Sequence, residues 1–215
     1  MKKAIVFVLA AGVLITGCSN SENRAKGVYM LIDTSGKTSV ELKKSQLIIS
    51  YLLGTLQTKD TLAVASIDTA SFNEKDIIAK VTFDRRPSVA NNQKRVFHQE
   101  VNNFISSVKS SRYTDISGGI LHAVEYLNET ASGKKYILIF SELKEELAKN
   151  HIRDMPFQLD GFEVVAFNVT ELGQGFRNSD TQLKRVENWR VKIENGQGKW
   201  WFISDLESLG KIFTD

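Results

Sequence analysis

Cysteine is almost absent from this 215-residue sequence, in which Cys18 stands alone. A single cysteine excludes a disulfide within the chain. Proline is scarce as well: the only two are Pro87 and Pro156, and both are predicted to lie in connections or at the start of an element. The sequence has no internal repeat and no low-complexity segment. Its length and its ordinary hydrophobic and charged fractions therefore predict one compact domain.

The sequence signatures of several enzyme classes are also missing. There is no GxSxG elbow, no GxxxxGK phosphate loop, no GxGxxG fingerprint and no HExxH helix. The three histidines, His98, His122 and His151, lack the local spacing of metal ligands. We therefore predict that they are surface residues or satisfied interior residues, and that the protein is not an enzyme.

An excess of charge of one sign is absent too. The chain carries 28 Lys and Arg against 25 Asp and Glu, and removal of an N-terminal leader containing Lys2 and Lys3 would leave 26 against 25, or about +1. Its basic pairs are short and scattered along the chain, so we interpret them as solvated surface and predict no nucleic-acid partner. These pairs are Lys43-Lys44, Arg85-Arg86 and Lys134-Lys135.

The N-terminus has the pattern of an export signal. Lys2 and Lys3 precede an apolar stretch at residues 4–15, which is too short to span a bilayer comfortably. We predict that residues 1–17 are a signal peptide outside the fold. The polar, aperiodic segment that follows predicts a short tether at residues 18–26, ahead of a single domain at residues 27–215.

The end of the apolar stretch, LITGC at residues 14–18, resembles the bacterial lipobox. The resemblance implies cleavage before Cys18, which would carry a diacylglyceryl thioether and usually an N-acyl chain such as palmitate. Each buried methylene contributes about 0.8 kcal/mol, so several acyl chains anchor a protein stably. A plain secretory signal and an uncleaved helix are the alternatives. The lipobox implies the bacterial cell envelope, and Ser19 favours the periplasmic face of the outer membrane in a bacterium with two membranes.

Apolar runs alternate with amphipathic segments from Gly27 onwards. The runs at residues 28–32, 62–67, 77–83, 136–140, 162–169 and 200–203 are typical of strands buried on both faces. Helical spacing predicts helices at residues 40–56, 96–108, 116–127, 143–152, 183–191 and 206–213. The alternation predicts an α/β fold with a doubly wound, mostly parallel sheet flanked by helices. The second and third strands are close enough in sequence to predict an antiparallel edge hairpin.

Polar residues stand at the predicted strand ends. Asp33, Ser35 and Lys37 follow the first strand, Thr114 and Asp115 precede the third helix, and Ser141 and Glu142 follow the fourth strand. In open α/β sheets the loops at the carboxyl ends of strands converge on one crevice. These residues therefore form the candidate functional site.

Three motifs resemble those of a von Willebrand factor A domain in order and spacing. IDTSGKT at residues 32–38 resembles the DxSxS element, YTDISGGI at residues 113–120 resembles the loop that supplies a threonine, and ILIFSEL at residues 137–143 resembles the strand before a late aspartate. The resemblance extends over about residues 27–213. It implies a metal-ion-dependent adhesion site that holds Mg²⁺ or Mn²⁺ and leaves one position open for an acidic group of a partner.

The resemblance implies metal ligation by Asp33, Ser35, Thr114 and Glu142, and partner binding by these four together with Lys37 and Asp115. Asp115 also has a structural alternative, support of the turn into the following helix. The sequence departs from the family pattern twice, because Lys37 replaces the second serine and Glu142 replaces the aspartate.

Lys37 decides whether such a site can work. An ammonium about 4 Å from a divalent cation repels it by about 8 kcal/mol at an effective dielectric of 20, whereas a millimolar site holds only about 4 kcal/mol. An inward Lys37 would prevent metal binding and serve as a counter-ion between Asp33 and Glu142. An outward Lys37 would leave room for a water and a weakened metal site.

Three functions are open at this point. The first, which we favour, is a protein-binding module that docks a partner at this degenerate site, with or without a cation. The second is a scaffold in an envelope assembly with a vestigial site. The third is a phosphohydrolase that uses Asp33 as nucleophile, although Ser35 stands where the general-acid aspartate of such enzymes belongs.

Overall fold

The computed structural model describes residues 24–35, 39–68, 73–108, 111–149, 155–168 and 180–214, with the backbone alone for residues 39–41. The predicted signal peptide, Cys18 and Lys37 lie outside the described residues. Within the described part of the chain, no helix combines the length and the apolar character that a membrane crossing requires.

The described residues form six strands and five helices. In chain order they are β1 (Lys26–Asp33), α1 (Ser39–Thr55), β2 (Thr61–Ile67), β3 (Ile77–Thr82), α2 (Pro87–Ser107), α3 (Ile116–Glu129), β4 (Lys134–Ser141), β5 (Phe162–Asn168), α4 (Asp180–Asn195), β6 (Lys199–Ile203) and α5 (Leu206–Thr214). A short 3₁₀ turn at Glu74–Asp76 precedes β3. The strand order is β3-β2-β1-β4-β5-β6, and every neighbouring pair is parallel except β2 and β3. The predicted α/β fold and its antiparallel edge hairpin are confirmed.

The sheet is buried on both faces. Along β1, Val28, Met30 and Ile32 point into a core shared with α1, α2 and α5, whereas Tyr29 and Leu31 point into a second core shared with α3 and α4. Successive side chains of a strand alternate between faces, so a strand covered on both sides has to be apolar throughout. This is why β1, β2 and β4 read as uninterrupted apolar runs.

The helix predicted at residues 143–152 is wrong over the described residues 143–149. Leu143 has φ +60°, outside the right-handed helical region. Two backbone hydrogen bonds hold the segment extended: the Thr114 N–H donates to the Glu146 carbonyl at 2.9 Å, and the Glu146 N–H donates to the Thr114 carbonyl at 3.0 Å. The apolar spacing could not reveal this pairing, because it depends on a distant part of the chain.

Two other helices begin earlier than predicted. Helix α2 begins at Pro87, whose fixed φ and missing N–H suit the first turn of a helix, and α4 begins at Asp180. The segments by which these helices exceed the prediction, residues 87–95 and 180–182, are mostly polar, so apolar periodicity gave no signal there.

Candidate functional site

Asp33 is the centre of a hydrogen-bonded cluster at the carboxyl end of β1, and it is only 3% exposed. Its Oδ1 accepts hydrogen bonds from the Ser35 N–H at 2.9 Å and the Ser35 hydroxyl at 2.6 Å. Its Oδ2 accepts one from the Ser141 hydroxyl at 2.7 Å. The Thr114 hydroxyl donates to Ser35 Oγ at 2.6 Å and lies 3.5 Å from Asp33 Oδ1. Side chains from all three strand-end motifs therefore meet at one carboxylate.

The backbone holds each of these side chains in place. Strands β1 and β4 are parallel neighbours with Ile32 opposite Phe140, so Asp33 and Ser141 end at the same edge of the sheet. Ser35 forms an isolated parallel bridge with Ser111, and Thr114 is fixed by its paired bonds with Glu146. The arrangement is therefore built from backbone pairing and does not depend on one flexible loop.

The other predicted site residues lie around this cluster. Asp115 is buried and caps helix α3, because its Oδ1 accepts a hydrogen bond from the Gly118 N–H at 2.8 Å. Glu142 is half-buried, and no hydrogen bond joins its side chain to Asp33, Ser35 or Thr114. The structure thus brings Asp33, Ser35 and Thr114 into contact and leaves Glu142 beside them.

Two contributing residues were missed by sequence reasoning. Ser141 was noted at the end of its strand but was assigned no role, although its position as the last residue of β4 was a usable signal. Glu145 was placed in a helix that is not present, yet its Oε1 accepts a hydrogen bond from the Ser117 N–H at 2.7 Å in the first turn of α3. Since Glu145 and Asp115 already accept from the Ser117 and Gly118 N–H groups, these two N–H groups are not free for an anionic ligand.

Negative charge is concentrated next to the cluster. Burial, together with the charges of Asp68 and Asp115, raises the pKa of Asp76 to about 6. Burial and the charge of Asp115 also raise the pKa of Asp68. Asp76 Oδ2 is buried and has no hydrogen-bond partner within the described structure. These carboxylates make the β2 side of the site unfavourable for an additional anion.

Three side-chain oxygens of the cluster, from Asp33, Ser35 and Thr114, are spaced like the ligands of one hard cation. Ligands on one octahedral Mg²⁺ at about 2.1 Å lie about 3 Å from one another, and the oxygen separations of 2.6 Å between Ser35 and Thr114 and 3.5 Å between Thr114 and Asp33 bracket that value. The hydrogen bonds nevertheless leave no orphaned buried atom at Asp33, Ser35 or Thr114. Among the described residues, no group of three or more His, Cys, Asp or Glu side chains is arranged to hold a metal.

The cluster is poorly arranged for nucleophilic catalysis. Both oxygens of Asp33 accept hydrogen bonds from hydroxyl groups, which lowers their reactivity as nucleophiles. Within the described structure no histidine is hydrogen-bonded to the cluster: His122 lies on α3, 3.3 Å from the Tyr29 hydroxyl, and burial lowers its pKa. The arrangement lacks the paired nucleophile and base that acyl or phosphoryl transfer requires.

Comparison with solved structures identifies the fold. A von Willebrand factor type A protein from Catenulispora acidiphila matches with a TM-score of 0.51 and 12% identity, over 88% of this chain and 41% of that one. The PilB minor pilin from Streptococcus sanguinis matches with a TM-score of 0.52 and 13% identity, over 91% of this chain and 61% of that one. The protein therefore has the von Willebrand factor type A fold.

These likenesses are structural only. No protein-family model and no curated protein matches the sequence. The chain spans less than two thirds of the length of both solved structures. The similarity thus establishes the fold, and the function has to be argued from the site.

Proposed function

We propose that this protein is a lipid-anchored, protein-binding module of the bacterial cell envelope. It docks its partner through the site face, which we define as the strand-end surface at Asp33, Ser35, Thr114 and Glu142, where Ser35 and Glu142 are partly exposed and Asp33 and Thr114 are buried. The observation that carries the proposal is the set of hydrogen bonds that gathers three separate chain segments at Asp33. Preorganised polar groups at the carboxyl ends of strands are the usual place for recognition in this type of sheet.

Binding accounts for the cluster better than catalysis does. A phosphohydrolase would need Asp33 free to attack and a second carboxylic acid two residues later. Ser35 occupies that second position, and its hydroxyl donates to Asp33 at 2.6 Å. The same hydrogen bond therefore weakens the nucleophile and replaces the general acid, so we propose a module without enzymatic activity.

A divalent cation would be held by Asp33, Ser35 and Thr114. When bound, Mg²⁺ or Mn²⁺ would supply an open coordination position for an acidic group of the partner. Because Lys37 stands in place of a ligating serine, we propose that the affinity for the ion is weaker than millimolar and that docking does not depend on it. The hydrogen bonds already satisfy Asp33 without a cation.

The membrane attachment and the cellular location are part of the same proposal. The LITGC sequence at residues 14–18 supports acylation at Cys18 after removal of residues 1–17. PilB, which shares the fold, is described as a minor pilin, and this is consistent with a place at the bacterial envelope. The lipid anchor would hold the domain at the periplasmic face of the outer membrane in a bacterium with two membranes.

The test is capture of partners from native membranes after crosslinking. We expect Ser35→Ala and Thr114→Ala chains to recover at least about tenfold less partner than wild type, since each substitution disturbs the cluster that the partner would contact, and a polar group left unpaired in an interface costs about 1 to 3 kcal/mol. Thr55→Ala is the matched control, because Thr55 donates only to the Tyr51 carbonyl in α1 at the other edge of the sheet. Mass spectrometry of the captured proteins gives the readout.

The polar groups of the cluster already have hydrogen-bond partners within the domain, and this favours one specific alternative. If its hydrogen bonds serve only to join β1, β4 and the loop before α3, the domain is a scaffold and the partner binds elsewhere. In that case, Ser35→Ala and Thr114→Ala would lower the melting temperature while the recovered partners stay unchanged. That result would overturn docking at the site face.

A further inference from the structure

The surface at the amino-terminal ends of the parallel strands, opposite the site face, is basic. Strand β1 runs from Lys26 to Asp33, so its ends are about 23 Å apart at 3.3 Å per residue. The start of β1 lies among exposed cations contributed by four separate segments of the chain. We define this basic edge as Arg24, Lys59, Arg85, Arg86 and Lys134.

Backbone pairing brings these distant residues together. The Lys134 N–H donates to the Ala25 carbonyl at 3.3 Å, and the Lys59 N–H donates to the Phe83 carbonyl at 2.8 Å. A cleft of about 830 Å³ is lined by Ala25, Lys59, Arg85, Arg86 and Ala131. Arg85, Arg86 and Lys134, which are far apart in the sequence, therefore lie on one surface, whereas the pair Lys43-Lys44 lies on α1.

Acidic side chains neutralise this edge only in part. Asp60 is buried, and its carboxylate accepts hydrogen bonds from the Lys26 and Gln57 N–H groups. Asp84 pairs with Arg86 at 2.9 Å. Glu129, exposed at the end of α3, offsets one further charge. No ion pair to Lys59, Arg85 or Lys134 is found in the described structure, so a net positive surface remains.

The start of the described domain places this edge close to the proposed anchor. Cys18 and Arg24 are six residues apart, so an extended tether spans at most about 21 Å. A lipidated Cys18 would therefore keep the basic edge within reach of the lipid headgroups. Lys and Arg side chains are attracted to anionic headgroups, and the attraction falls off over about 8 Å at physiological salt.

We propose that the basic edge binds the anionic phospholipid headgroups of the membrane that carries the anchor, so that the site face points away from the bilayer. This proposal rests on the proposed lipid anchor. It adds a defined orientation: cations face the membrane, and the acidic groups around Asp68, Asp76 and Asp115 face the partner. Each cation that contacts the surface adds about fivefold to the membrane-facing population.

The experiment uses the lipidated full chain reconstituted in vesicles of phosphatidylcholine, with or without phosphatidylglycerol. Because Cys18 is the only cysteine and would be blocked by acylation, an introduced cysteine can be labelled by itself. A fluorophore is attached at Ala131→Cys, in the cleft of the basic edge, or at Lys75→Cys, on the exposed turn at the opposite edge. Spin-labelled headgroups quench any fluorophore that lies at the membrane surface.

We expect stronger quenching at position 131 than at position 75, and only in vesicles that contain phosphatidylglycerol. Adding Arg85→Glu and Lys134→Glu together should reduce the quenching at position 131 at least about fivefold. The matched control is Lys43→Glu with Lys44→Glu, which makes the same charge change on α1 and should leave it unaltered. Thermal unfolding checks that both double variants are folded.

Separate outcomes distinguish the basic edge from the lipid anchor. Flotation of the chain with phosphatidylcholine vesicles in high salt reports on the anchor alone. A chain that floats but shows equal quenching with and without phosphatidylglycerol contradicts headgroup binding while the proposed function stands. A chain that does not float contradicts the lipid anchor and the membrane orientation together.

Discussion

At the scale of single residues, Asp33 carries most of the polar contacts of the site face. Ser35 and Ser141 donate to its two oxygens from opposite sides, and Thr114 closes the cluster through Ser35. Removal of any one hydroxyl leaves a buried acceptor with fewer partners, which is the costly case for a hydrogen bond. We expect Lys37 to determine whether this cluster also accepts a cation.

Lys37→Ser should create a stronger metal site. The substitution removes an ammonium and restores the hydroxyl that the family pattern has at this position, so the repulsion of about 8 kcal/mol for an inward lysine disappears. We expect Mg²⁺ affinity weaker than millimolar in wild type and at least about tenfold stronger in Lys37→Ser. Isothermal titration calorimetry with Mg²⁺ and Mn²⁺ measures both.

The double variant Lys37→Ser with Asp33→Asn is the control for this titration, because it lacks the carboxylate that the ion would need. Saturable binding below millimolar in wild type would contradict the effect assigned to Lys37. Unchanged weak binding in Lys37→Ser would show that the three remaining oxygens do not form a cation site.

Asp76→Asn should stabilise the protein at neutral pH. Burial raises the pKa of Asp76 from 3.8 to about 6 in the folded state, so this carboxyl favours folding below pH 4 and the contribution is lost as the pH rises to about 6. The shift sets an upper bound of about 3 kcal/mol, which solvent screening at this partly exposed group reduces to about 1 kcal/mol. Urea unfolding at pH 7 and pH 4 should show the gain only at pH 7.

Asp205→Asn provides a control, because its expected effect on stability at pH 7 has the opposite sign to that of Asp76→Asn. Hydrogen bonds from the Ser208 N–H and hydroxyl lower the pKa of Asp205, so its contribution is present above its unfolded pKa and is lost in acid. We expect Asp205→Asn to be destabilised at pH 7. Equal unfolding free energies of wild type and Asp76→Asn at pH 7 would show that Asp76 ionises without cost.

At the scale of elements, helix α3 joins the site to the core. Its N-terminus begins at the buried cap Asp115, and Gly119 in its first turns allows close approach to β1, since a Cβ there would lie 3.0 Å from Leu31 Cδ2. The preceding residue, Thr114, belongs to the cluster around Asp33. Any shift of the start of α3 therefore moves a site residue directly.

Gly118→Ala should destabilise the protein although alanine favours helices. A Cβ at position 118 would lie 2.5 Å from Asp115 Oδ2, so the capping carboxylate has to move. Loss of an N-cap costs about 0.5 to 2 kcal/mol, and we expect this cost to exceed the gain of up to about 1 kcal/mol from replacing glycine. Thermal and urea unfolding measure the net effect.

Gly54→Ala is the matched control in α1. No atom lies within 4 Å of a Cβ placed there, and the residue is exposed. Its propensity gain should therefore be realised, with stabilisation of a few tenths to about 1 kcal/mol. If Gly118→Ala stabilises the protein as much as Gly54→Ala does, the cap at Asp115 contributes nothing.

At the scale of the whole molecule, the sheet divides the protein into two cores and two edges. Strands β1 and β4 have a neighbour on each side and helices over both faces, whereas β3 and β6 lie at the ends of the sheet. Protection from local opening rises with the number of buried contacts around a strand. The site face thus rests on the most protected strands.

Amide hydrogen exchange should be slower in the central strands than in the edge strands. We expect the slowest exchange at residues 28–32 of β1 and 136–140 of β4, and exchange at least about tenfold faster in β6, whose outer side has no partner strand among the described residues. Mass spectrometry of peptic peptides measures the rates. Exchange in β6 as slow as in β1 would indicate that another segment or a partner covers that edge.

Charge is distributed unevenly over the whole molecule. The mature chain would be nearly neutral, yet Asp68, Asp76 and Asp115 lie close enough to interact on the side of the carboxyl ends of the strands, and the five cations of the basic edge lie at the other end. Net charge therefore says little about the surfaces that partners or lipids meet. The orientation proposed for the domain follows from this separation.

The sequence by itself determined the α/β class, the strands and most helices, because buried runs and helical periodicity are local patterns. Its three polar motifs also identified Asp33, Ser35 and Thr114 as neighbours, since the carboxyl ends of parallel strands share one edge. Only the tertiary structure decided the hydrogen bond of Ser141 to Asp33, across 108 residues, and the pairing of Thr114 with Glu146 that replaces a predicted helix. It also decided that Arg85, Arg86 and Lys134 lie together at the basic edge. These features depend on which strands become neighbours, and local periodicity carries no information about that.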